Sequence, residues 1–99
     1  MKTIEKSKIR VIRSNAEVFH DYVQAHLWAR RPLPTRAGKI DSIKDFADIC
    51  FICEMIMTKK PTDLIENKFN GLDTDVRKAF PLTIFNRNGK LRSWQGQSM

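Results

Sequence analysis

Cys50 and Cys53 stand three residues apart as a Cys-x-x-Cys, a spacing that can hold a metal or exchange electrons. Redox versions of that motif use a thiolate stabilised at a helix N-terminus. Here the flanks are Ile49, Phe51, Ile52 and Met55, an apolar run well inside a predicted helix. Burial there raises a thiol pKa and makes the sulfur inert, so both cysteines are expected to be small core hydrophobes. Zinc needs two further ligands. His20 and His26 are six apart, poor spacing for one helical face, and there is no second Cys-x-x-Cys. Asp41, Asp45 and Asp48 follow a helical spacing that fits a solvated face. The four glycines, Gly38, Gly71, Gly89 and Gly96, form no phosphate cradle. No catalytic set, no metal site and no cofactor are expected, and the chain is not expected to be an enzyme.

Charge carries more information than reactive groups do. The chain has 18 Lys and Arg against 11 Asp and Glu, a net charge of +7. Residues 1–39 hold nine cations and three acids, residues 40–80 six and eight, residues 81–99 three and none. A weakly acidic, apolar centre is flanked by two basic ends. If the ends meet in the fold they form one cationic surface, the electrostatic footprint of a polyanion binder.

At 99 residues and 41% hydrophobic, the chain is expected to be a single domain, 1–99, with one core. The segment Met1-Lys2-Thr3-Ile4-Glu5-Lys6 has no apolar stretch of the signal-peptide kind. Two cysteines without such a signal fit a reducing, cytoplasmic setting. The apolar run Ile49–Met57 is interrupted by Glu54 and falls short of the ~20 residues of a membrane span.

The elements that would position these groups follow from local signals. Lys8–Arg13 reads as a short β-branched strand. Ser14 stands three residues before Glu17, the spacing of a helix capping box. The helix after it puts Phe19, Tyr22, Val23, His26 and Leu27 on one face. The segment 30–39, with Pro32 and Pro34, reads as a loop carrying Arg30, Arg31, Arg36 and Lys39. Ser42 and Asp45 repeat the cap signal before a central buried helix, 42–58. Pro61 begins a third helix with Leu64, Ile65 and Phe69 inward. Asp73 or Thr74 begins a fourth with Val76, Ala79 and Phe80 inward.

Asn88-Gly89 is the signature of a two-residue type I′ turn, which predicts a C-terminal hairpin. In that register Phe85, Arg87, Lys90, Arg92 and Trp94 share a solvent-facing side. Cations there would track phosphates, and aromatics would stack on bases. The expected fold is α+β: a small core of three to four helices, a C-terminal β-hairpin and a short N-terminal strand.

Residues 63–80 resemble a helix-turn-helix, with Asp63–Phe69 first, Asn70-Gly71-Leu72 as the turn and Thr74–Phe80 second. A hairpin directly after such a pair is similar to the order of winged helix-turn-helix DNA-binding domains. The resemblance covers residues 42–94. It implies that the second helix enters the major groove and the hairpin touches the backbone.

The expectation is a small basic nucleic-acid-binding protein, a DNA-binding regulator, with DNA favoured over RNA. Its contact residues would be Arg30, Arg31, Arg36, Lys39, Phe85, Arg87, Lys90, Arg92 and Trp94. The alternative is a non-enzymatic inhibitor or adaptor that docks on a larger nucleic-acid-processing enzyme.

Overall fold

Helix α1 (Asn15–Trp28) starts where Ser14 ends the extended chain, its side-chain oxygen accepting the Glu17 amide at 3.1 Å. Helix α2 (Ile43–Met57) starts the same way, with Ser42 accepting the Asp45 amide at 3.4 Å. Both ends are stopped by a residue in the left-handed region, Arg30 after α1 and Lys59 after α2. In each case the next amide reaches back to close the turn, Arg31 to the His26 carbonyl and Lys60 to the Met55 carbonyl. The structure, a computed structural model, describes residues 13–92.

Helix α1 buries Ala16, Phe19 and Val23 against α2, which contributes Phe46, Ile49, Ile52, Cys53 and Met55. Helix α3 (Thr62–Asn70) adds Ile65 and Phe69, and the single turn α4 (Thr74–Arg77) adds Val76. Tyr22 and Leu64, expected inward, are about half exposed. Phe51, on the outer side of α2, is also half exposed and has the Lys68 ammonium 5.3 Å from its ring centre. His20 is nearly buried, with Nε2 3.4 Å from a Glu54 carboxylate oxygen. Among the described residues no helix is long and apolar enough to cross a membrane.

The expected placement of β-structure is corrected in two places. The two-stranded antiparallel sheet is formed by β1 (Leu33–Thr35) and β2 (Gly38–Ile40), inside the segment read as a loop. Leu33 pairs with Ile40 and both are buried, so two apolar residues seven apart anchor the ribbon to the core. Pro34 does not forbid it, because a short edge strand needs no amide at that position. Gly38, at φ +134°, supplies the turn geometry after Arg36-Ala37.

The C-terminal segment is the second correction. Among the described residues its pairing is reduced to one bridge, Phe85 opposite Leu91, flanked by Asn86 N–H to the Lys90 carbonyl and Arg92 N–H to the Ile84 carbonyl. The turn spans Arg87-Asn88-Gly89, one residue longer than expected. Gly89 alone is left-handed, at φ +78°. The Asn86 side-chain oxygen accepts the Asn88 and Lys90 amides at 2.9 and 3.0 Å and so sets this geometry. A one-residue slip inverts the faces of a ribbon, and Phe85 therefore points into the core. Burying a phenyl ring is worth about 1.5–3 kcal/mol, and each aromatic pair about 0.5–1.5 more, far above any preference between short turns. The predicted N-terminal strand, Lys8–Arg13, lies almost wholly outside the described residues.

Cys53 is fully buried on α2 and Cys50 half-buried. Burial pushes both thiols up, assisted at Cys53 by Cys50 and Glu54 and at Cys50 by Glu54. A thiol raised in the folded state contributes full stability below the ordinary thiol range and loses it as pH rises through that range toward the folded value. Cys53, the fully buried one, is expected to lower stability by up to about 1.4 kcal/mol per pH unit once the unfolded chain ionises. Urea titrations from pH 7 to 10 check this. Cys53→Ala should cost roughly 1–2 kcal/mol at pH 7 and flatten the alkaline decline. An unchanged decline in that variant would place its source elsewhere.

Candidate functional site

Three segments distant in sequence converge at one end of the molecule. The tip of the β1–β2 ribbon is held to the end of α4 by the Arg36 amide, which donates to the Lys78 carbonyl at 3.4 Å. The 86–89 turn is held to the end of α3 by Asn70. Its side-chain nitrogen donates to the Glu66 carbonyl at 2.8 Å and to the Gly89 carbonyl at 3.2 Å. Gly89 fits this clamp because it lacks a side chain: a Cβ there would lie 2.4 Å from the Asn70 oxygen. Between the ribbon tip, α4 and this turn lies a cleft of about 490 Å³.

Four cations line it: Arg36 from the ribbon, Arg77 and Lys78 from the end of α4, and Arg87 from the turn. Among the described residues no carboxylate lines it. None of the four is in an ion pair among the described residues. The floor is apolar, formed by Phe69, Phe80, Leu82 and Phe85. The rings pack on one another, Phe69 parallel to Phe85 at 3.8 Å and Phe80 edge-on to both at 5.2 and 5.5 Å. Asn70, Asn86 and Asn88 supply amide groups, and Thr74 a hydroxyl.

Arg77 is the most constrained of the cations. One guanidinium nitrogen donates to the Thr74 hydroxyl at 3.0 Å. Its Nε is buried and has no hydrogen-bond acceptor among the described residues. Leaving a buried donor unmatched is unfavourable by roughly 1–3 kcal/mol. Arg77 is thus a cation held at the cleft wall with hydrogen-bonding capacity unspent.

The expected contact residues divide accordingly. Arg36 and Arg87 come together in the cleft. Phe85 also reaches it, as part of the buried floor rather than as an exposed stacking platform, because of the shifted register. Lys90 turns toward Glu66, with its ammonium 3.8 Å from one carboxylate oxygen while the other accepts the Leu91 amide. The Arg92 side chain donates to the Leu82 carbonyl at 2.6 Å. Arg30 and Arg31 line a separate hollow of about 530 Å³ with His26, Asp41, Ile43 and Phe46, where an acid offsets the cations. Lys39 is exposed on β2 and lines neither hollow. Trp94 lies outside the described residues.

Arg77 and Lys78 are the residues that sequence reasoning missed. Both fall in the stretch whose overall balance is acidic, inside the expected fourth helix. Their adjacency beside a break before Pro81 was the available signal. The helix-turn-helix expectation also meets a difference here. The second helix is one turn long, and Asn70 and Gly71 both lie outside the left-handed region. A four-residue helix presents too little surface to read a major groove in the manner of that family. No group of three or more His, Cys, Asp or Glu residues gathers among the described residues. No protein-family model, curated protein or solved structure matches the chain.

Proposed function

We propose that the protein binds nucleic acid, and that the cleft between the ribbon tip, α4 and the 86–89 turn is where it does so. The supporting observation is the convergence of Arg36, Arg77, Lys78 and Arg87 around one concavity with no carboxylate in its lining among the described residues. Cations are usually interspersed with acids on a surface kept merely soluble. Guanidinium groups present planar donors that match phosphate oxygens, and lysine adds a point charge. A DNA-associated regulatory role in a cytoplasmic setting, with both thiols reduced, belongs to the same reading.

Fluorescence anisotropy with a labelled oligonucleotide tests it. Binding should weaken steeply between 50 and 200 mM salt. The pair Arg36→Ala and Arg87→Ala should reduce the slope of log K against log salt by about 1.4 on a single strand or 1.8 on a duplex, if each arginine meets one phosphate. The pair Arg30→Ala and Arg31→Ala, at the other hollow, should leave affinity and slope unchanged. Absent binding, or equal losses in both pairs, would move the protein to the adaptor reading. The observation on that side is Trp28, 81% exposed at the end of α1.

A further inference from the structure

We infer that the cleft receives an unpaired nucleotide of a single strand, not a duplex; this rests on the nucleic-acid reading above. The cations line a concavity instead of crowning a ridge. A duplex is read by an element that protrudes into its major groove, about 12 Å wide, and a helix or a two-stranded ribbon is what fits. Here the helix beside the cations is the single turn Thr74–Arg77, only about 6 Å long. The ribbon tip and the 86–89 turn form the cleft's walls. A hollow of about 490 Å³ falls within the range of small-molecule pockets, roughly 300–1,000 Å³. One nucleotide splayed out of a single strand suits that size, with its flanking phosphates on Arg36, Arg77, Lys78 and Arg87.

The amides at the cleft say how the base would be held. Asn70 is committed through its nitrogen to two backbone carbonyls, and Asn86 through its oxygen to two backbone amides. The Asn88 side chain makes no hydrogen bond among the described residues and sits in the exposed turn. Its carboxamide carries a donor and an acceptor side by side, the pattern that pairs with a base edge. Stacking is not offered by the floor, because Phe69, Phe80 and Phe85 are buried against one another. Recognition therefore divides between phosphate contacts from the cations and base-edge contacts from Asn88.

The experiment compares a 12-nucleotide DNA strand, the RNA strand of the same sequence and the corresponding 12-base-pair duplex, each fluorescein-labelled, at 50 and 200 mM salt. At least one single strand should bind about tenfold or more tighter than the duplex, and the tighter of the two identifies the sugar preferred. Asn88→Ala should weaken that strand by about tenfold with the salt slope unchanged, since it removes a base contact and no charge. A duplex bound as tightly as either strand, and lost in the Arg36→Ala and Arg87→Ala protein, overturns the single-strand inference and leaves the nucleic-acid reading standing. So does an unchanged affinity in Asn88→Ala, for the base-edge part. No binding to any of the three overturns both.

Discussion

Phe85→Ala should cost about 3–5 kcal/mol, the range found for removing a fully buried phenyl ring. Phe85 is 2% exposed, lies parallel to Phe69 at 3.8 Å and meets Phe80 edge-on. Truncation removes one ring from a three-ring cluster and opens a void beneath the cleft. Domains of this size are stable by roughly 5–15 kcal/mol, so the loss removes a large share of the total. Urea or thermal denaturation followed by circular dichroism measures it. A loss of 3 kcal/mol alone would lower Tm by about 12 °C or more. The two-residue-turn register makes the opposite forecast, because it places Phe85 in solvent, where substitutions usually change stability by less than about 0.5 kcal/mol. A near-neutral result would restore that register and empty the core assignment. Phe51→Ala is the matched control. That ring is half exposed and should cost far less.

The contrast between Phe85 and the helix starts explains what the sequence could reveal. Ser14 and Ser42 cap α1 and α2 through contacts three residues away, and both starts could be read locally. The β1–β2 ribbon depends on Leu33 and Ile40 reaching a core assembled by α1 and α2, a non-local gain that outweighs the prolines. The C-terminal register departs from the local turn signal for a related reason. Asn-Gly argued for one turn, while the Asn86 side chain and the pull of Phe85 toward Phe69 and Phe80 favoured another. Of the candidate site, Arg36 is legible as a cation of the 30–39 loop and Arg87 as a cation of the C-terminal hairpin. Their convergence with Arg77 and Lys78 is not. It is created by the Arg36 amide on the Lys78 carbonyl and by the Asn70 clamp on Gly89, pairings across 42 and 19 residues of chain.

Arg77→Met separates what this arginine does for the fold from what it does for a ligand. The native side chain is half-buried, keeps one hydrogen bond to Thr74, and hides its Nε with no acceptor among the described residues. A guanidinium placed that way is destabilising unless a partner arrives, and apolar replacement of such buried charge is often neutral or stabilising. Methionine keeps an unbranched stem of similar reach and adapts to irregular gaps. The variant should therefore gain about 1 kcal/mol in urea denaturation. Binding should move the other way. A hydrogen bond to a charged group is worth about 1.5–3 kcal/mol, so losing it at one phosphate should weaken the complex by roughly 10–100-fold. The salt slope should fall by about 0.7 on a single strand. Greater stability with weaker, less salt-sensitive binding is the signature of a residue kept for its ligand at the expense of the fold. Lower stability with unchanged binding would make Arg77 a structural part of the last turn of α4 and remove the centre of the cleft from the interface.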